Sequence, residues 1–202
     1  MTQQMYFAIP GDLNARTGGY GYDRRLLVEL RKLGLRVEHL VLDASFPFPD
    51  AEAMLDVERI FAALPDQALV LVDGLAFGAM AQCASRHAKR LRLIALCHHP
   101  LALESGLSAR QQQTFQESEQ LALQCSRAVI VTSPNTARTL TEAFAVPEAK
   151  ITVALPGTDR AAFAPCIGEP AVLLCVATLT RRKAHDVLIE ALTAVVDLPW
   201  QA

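Results

Sequence analysis

Leu91–Pro100 reads LRLIALCHHP. Its first part is apolar at Leu91, Leu93, Ile94, Ala95 and Leu96, so both faces of an extended segment are hydrophobic. A half-exposed strand would alternate, and an unbroken apolar run is the pattern of a parallel strand covered by helices on each side. The run ends in His98, His99 and Pro100, where the proline forbids further ladder pairing. Open α/β sheets place ligands just beyond the carboxyl ends of their strands, and imidazole is the side chain that titrates near neutrality. His98 is therefore the leading catalytic candidate, and His99 the bystander.

Outward from this strand, the chain alternates strand and helix signals. Met5–Ile9 is a short apolar strand closed by Pro10-Gly11, and a loop containing TGGYG runs from Gly11 to Gly21. Leu26, Leu27, Leu30 and Leu33 then recur on one helical face, and Gly34 offers a C-cap. A strand over Val37–Leu42 completes a βαβ unit. SFPFPD at 45–50 is a loop. The pattern predicts helices over 51–64 and 76–88, with a strand over 68–72 between them. A serine-capped helix over 108–125, packed through Leu121 and Leu123, follows the central strand. Strands over 128–131 and 151–155 flank a helix over 134–144 with proline in its first turn. Strict alternation of this kind specifies a doubly wound, Rossmann-like parallel sheet with helices on both faces. A proline-bounded linker, PCIGEP at 165–170, separates residues 1–166 from a second unit over 171–202. That unit shows an apolar strand over 171–176 and an amphipathic helix over 183–196, too little to bury a core of its own.

Composition narrows the function classes. The 202 residues are 51% hydrophobic and 20% charged, a globular profile. A formal net charge of -2 leaves no electrostatic footprint for nucleic acid. Apolar runs fall short of the ~20 residues that span a bilayer, and the amino terminus does not read as a signal peptide. Peripheral contact with a membrane stays open. Five scattered cysteines without zinc-site spacing fit reduced thiols in a cytoplasmic protein, and no metal site is expected. The absence of a GxSxG elbow counts against a serine hydrolase.

Taken together, these stretches resemble the retaining, nucleotide-sugar-dependent glycosyltransferases of family four, with the GT-B fold. TGGYGYDRRLLVEL is similar to the glycine-rich loop that opens their amino-terminal domain. VDGLAFGAM followed by LIALCHHPLALE resembles the strand pair leading to the family histidine. CSRAVIVTSPNTARTL and ITVALPGTDRAAFAP resemble the end of that domain and its crossover, and VLLCVATLTRRKAHDVLIEAL the start of the donor-binding domain. The resemblance implies two facing Rossmann-like domains, the acceptor on the first and the nucleotide sugar mainly on the second. It implies transfer of a hexosyl group from a nucleoside-diphosphate sugar to an acceptor hydroxyl with retention, and no cofactor.

On that resemblance His98 meets the transferring sugar near its anomeric carbon, where a neutral imidazole accepts from a sugar hydroxyl and supports developing positive charge. Gly18 and Gly19 pack against the donor diphosphate, offering backbone N–H groups at a helix start. Arg182 and Lys183, in the basic turn before the last helix, clamp the same diphosphate in place of a metal ion. The family's usual Gly-Arg after that strand is replaced here by Ala177-Thr178, so one expected phosphate-binding arginine is missing unless Arg181 or Arg182 substitutes for it. On the acceptor side Tyr20, Asp73 and Glu104 are the candidates, although aspartates at strand ends also serve as plain turn caps. The family's later pair of glutamates does not occur in these residues. The chain is therefore expected to be an incomplete copy, whose separate turnover stays open, with association through the unfinished second unit as one consequence. Alternatives are a non-catalytic sugar- or acceptor-binding module, a GT-B-like epimerase, and a flavodoxin-like domain lacking the acidic cluster that fold requires.

Overall fold

In a computed structural model, which describes residues 4–165 and 167–202, strands and helices alternate through two compact units, Met1–Pro156 and Gly157–Ala202. The first unit holds six strands: β1 (Gln4–Pro10), β2 (Arg36–Leu42), β3 (Leu69–Asp73), β4 (Arg92–Cys97), β5 (Ala128–Val131) and β6 (Ile151–Val153). All pair in parallel, in the order β2-β1-β3-β4-β5-β6. The chain thus winds outward from β1 to β2, then crosses back to β3 and proceeds the other way. The strand order reverses between β1 and β3, and at such a point a crevice opens at the carboxyl edge.

Between the strands lie α1 (Gly18–Lys32), α2 (Ala51–Ala63), α3 (Gly74–Phe77), α4 (Ala81–His87), α5 (Ala109–Cys125) and α6 (Pro134–Phe144). Their starts follow local chemistry. Thr17 accepts from Tyr20 N–H, Asp50 from Ala53 N–H and Ser133 from Thr136 N–H, each satisfying a helical donor that lacks an internal partner. Ser108 and Gln111 form a reciprocal capping box.

The pleat sorts side chains into two cores. Ala8, Val70, Val72, Leu93, Ala95 and Cys97 face one side, where they meet Phe61 of α2, Phe77 of α3, Phe115 of α5 and Phe144 of α6. Phe7, Ile9, Leu71 and Leu96 face the other, against Leu27 of α1. Each fully buried phenylalanine contributes roughly 1.5–3 kcal/mol by transfer from water. The doubly wound arrangement holds, but unevenly: in the smaller core α1 is the only helix that contributes, among the described residues.

Several local expectations change. The glycine-rich segment is not loop as far as Gly21, because Gly18–Gly21 already forms the first turn of α1. The helix expected over 76–88 is two helices, interrupted between Gly78 and Met80, where Met80 takes φ -114 and ψ 35. A Cβ at Gly78 would lie 2.8 Å from Leu101 Cδ1 and 3.3 Å from Glu119, and its carbonyl accepts from Ser118 Oγ at 2.7 Å. Leu123 is buried as expected, whereas Leu121 is 43% exposed. Leu33 caps α1 from the surface, and the following Gly34 takes φ +85.

In the second unit, β7 (Ala171–Val172) pairs in parallel with β8 (Trp200–Gln201). The strand expected as far as Val176 stops after two residues, because β8 supplies hydrogen bonds only as far as Leu173 N–H. Leu174 and Val176 are exposed. Arg181–Lys183 form a single 3-10 turn, left-handed Ala184 follows, and α7 (His185–Thr193) begins later than the sequence suggested. Cys166, at the end of the expected first domain, lies outside the described residues.

Candidate functional site

The reversal in strand order brings together three carboxyl-edge segments. β1 ends at Pro10 and leads through Gly11–Thr17 into α1, β3 ends at Asp73, and β4 ends at Cys97 immediately before His98. β3 and β4 are in register, with Asp73 opposite Leu96. Gly74 lets them stay close, since a Cβ there would lie 2.9 Å from the Leu96 carbonyl oxygen. Asp73 Oδ1 accepts from Leu75 N–H at 2.9 Å, so this carboxylate does cap a helix. Its other oxygen, Oδ2, lies 3.6 Å from His98 Nε2.

The nearer partner of His98 is Asp23, whose Oδ1 lies 3.1 Å from Nε2. Asp23 was not anticipated from the sequence. It sits one turn ahead of the Leu26–Leu27–Leu30 stripe on the inward face of α1, and is completely buried. Continuing that stripe toward the amino terminus lands first on Asp23 and then on Gly19, four residues earlier, which was the available signal. Gly19 faces the imidazole, and a Cβ there would stand 3.5 Å from His98 Cδ2. The Tyr22 ring stands edge-on to His98, with centroids 5.2 Å apart, and its hydroxyl donates to Ala154 O at 3.1 Å.

Gly18, Gly19, Asp73 and His98 therefore lie around one crevice. Tyr20 joins them, but its hydroxyl turns inward and donates to Pro10 O at 2.8 Å. Glu104 lies beyond a 3-10 turn at Leu101–Leu103, and its Oε1 accepts from Ser105 N–H at 3.2 Å. His99 contacts Leu103 O through Nε2. Arg182 and Lys183 belong to the 3-10 turn of the second unit, with exposed side chains.

Charge in the crevice is unusual. Burial works against a charged His98, but the hydrogen bond and charge of Asp23, with the charge of Asp73, outweigh it and raise its pKa above 6.5. Burial, followed by the Asp23 charge, also pushes the Asp73 carboxyl up from its ordinary value. Behind the strand end, burial raises Glu119 to about 8, against the hydrogen bonds it accepts from Ala102 and Leu101 N–H. A native acid raised above its ordinary 4.5 holds a proton that the unfolded chain releases. Its stabilising effect is full below about 4.5 and is lost as pH rises toward about 8. Asp73 and His98 are shifted upward too and act in the same direction. The thermal midpoint is expected to fall as pH rises from about 5 to about 8, and Glu119→Gln to flatten that fall, in a pH series of calorimetric scans.

Two clusters among the described residues bring three side chains of metal-ligand type within 4.8 Å of one another. In Glu58–Cys83–His87 the groups are taken up by protein partners: Glu58 by His87 Nε2 and Arg86, and His87 Nδ1 by Arg90. In Asp23–Asp73–His98, Nε2 is already held by Asp23.

A parallel α/β sheet with titratable groups gathered at its strand-order reversal is a ligand-binding domain of Rossmann-like type. Comparison with family models matches residues 12–157 to one described as a glycosyl transferase 4-like domain. The match covers both the glycine turn and His98, and the chain belongs to this family of glycosyltransferase domains. No curated protein sequence matches the chain. No helix among the described residues is long and apolar enough to cross a membrane.

Proposed function

We propose that this chain is the acceptor-side domain of a retaining glycosyltransferase, with the opening segment of its donor-binding domain. It moves a hexosyl group from a nucleoside-diphosphate sugar to an acceptor hydroxyl. The observation that carries this reading is the placing of the first turn of α1 beside the end of β4, where a Cβ at Gly19 would stand 3.5 Å from His98 Cδ2. Backbone N–H groups at a helix start attract a diphosphate, and the imidazole beside them meets the sugar at the bond that breaks. As that bond lengthens, the anomeric carbon gains positive charge, which the buried Asp23 carboxylate helps to balance through His98. In the second unit, Arg182 and Lys183 offer cations of the kind that hold a diphosphate, the role a metal ion fills in other transferases.

Heteronuclear NMR tests the first step. Adding a nucleoside diphosphate, or its sugar, is expected to shift the Gly18 and Gly19 amide signals and the His98 ring. Unmoved signals across a panel of nucleotides, up to about 10 mM, would sink the reading, since that range still detects roughly 3 kcal/mol of interaction.

A further inference from the structure

The buried side of the crevice holds two carboxyl groups and one imidazole. Asp23 is fully buried and Asp73 is 2% exposed. Both reach toward the same nitrogen, His98 Nε2, at 3.1 Å and 3.6 Å. That nitrogen carries one hydrogen, and the shorter distance assigns it to Asp23 Oδ1. Asp23, Asp73 and His98 bring side-chain atoms within 4.8 Å of one another. Two buried carboxyls this close do not both ionise readily, so one of them keeps its proton to higher pH. Asp23 Oδ2 is buried with no donor among the described residues, an expensive condition for a charged oxygen. Asp73 Oδ1 accepts from Leu75 N–H, and Asp73 Oδ2 stands farther from His98 Nε2 than Asp23 Oδ1 does, so Asp73 is the member of the pair that keeps the proton.

We propose that Asp23 is the anionic positioning residue of His98, and that Asp73 is its neutral partner, keeping the proton that two buried carboxyls so close cannot both release. The surroundings agree. Tyr20 and Tyr22 of α1 face the pair with phenols that burial raises further from ionisation. Cys97 of β4 faces Asp73 with a thiol that burial also raises. Asp12, in the loop after β1, acts on Tyr20, and His39 of β2 feels Asp23 while its own pKa is lowered, first by burial and then by Arg31. Among these groups His98 alone is a base whose pKa is raised. With Nε2–H fixed on Asp23, Nδ1 is left to meet a ligand, and Tyr22 limits rotation of the ring. The proton arrangement stands by itself, and its meaning for transfer rests on the proposed reaction.

The test is an NMR titration of the full chain, following the His98 ring nitrogens and the aspartate carboxyl carbons without any nucleotide. In the unmodified protein one carboxyl of the pair is expected to stay protonated at about pH 6, far above the ordinary range. Asp73→Asn keeps a side-chain oxygen that can cap Leu75, so the His98 midpoint should fall by less than in the other variant. Asp23→Asn should lower that midpoint by about one pH unit or more. Equal drops in the two variants, or two ionised carboxyls at pH 6 in the unmodified protein, would overturn the proposal. So would His98 and carboxyl shifts induced by zinc or manganese and abolished in both variants, which would make the cluster a cation site. The carboxyl signals are read without a variant, so a fold lost in Asp23→Asn does not blunt the test. No sugar donor enters, so failure here leaves the transferase reading intact, and failure of nucleotide binding leaves this one intact.

Discussion

Alanine in place of His98 is expected to slow nucleotide release from a sugar donor by about 10²–10³-fold, the usual effect of removing one preorganised group from a charged transition state. Two consequences of the substitution must be separated. The imidazole is lost from the point where charge develops, and Asp23, fully buried, loses its nearest partner. The second loss costs roughly 1–3 kcal/mol of stability, because a buried acceptor is left without a donor. His98→Gln separates them, since its amide N–H2 can still donate to Asp23. Glutamine should recover most of the thermal midpoint without recovering the rate. If His98→Ala melts early yet turns over at the original kcat/KM, the histidine is structural and the proposed mechanism is wrong.

Truncating Phe61 to alanine should cost about 3–5 kcal/mol, measured by chemical denaturation. That is a large share of the roughly 5–15 kcal/mol that holds a domain together. The upper part of the range applies because the surroundings cannot collapse into the void. Phe61 is 0% exposed and lies in the larger core with Val70, Leu91 and Phe77. Its own carbonyl accepts from the Arg90 guanidinium, which also donates to Leu64 O at 2.8 Å and to His87 Nδ1 at 3.1 Å. This network pins the end of α2 to the turn before β4. A loss below about 1 kcal/mol would mean that α2 moves freely over the sheet, contrary to this packing.

Where the controlling chemistry is local, the sequence was a good guide. Ala128–Val131 and Pro134–Phe144 fall on the bounds expected of them, because Ser133 and Pro134 fix the helix start from adjacent positions. The break between α3 and α4 is not legible in the sequence, because what surrounds Gly78 comes from elsewhere in the chain: Leu101 and Glu119 leave no room for a Cβ there. Asp23 was missed for a related reason. An aspartate among charged neighbours reads as solvated surface until the sheet shows that its face of α1 points inward. The apolar run at 171–176 was read as a strand from its composition, yet pairing needs a neighbour, and β8 is two residues long. In the crevice, residue types pointed to His98 and Asp73, but their relation to each other required the register of β3 and β4.

The bond between the Tyr22 hydroxyl and Ala154 has a mechanical side. Ala154 lies just past the end of β6, and the first unit closes two residues later at Pro156. The strand of rope that leaves the domain is thus moored to the helix that carries the glycine turn. Ala154 is held twice, since its N–H also donates to Val131 O at 2.8 Å. One phenol thus joins the helix that carries the glycine turn to the segment just past the last strand of the sheet.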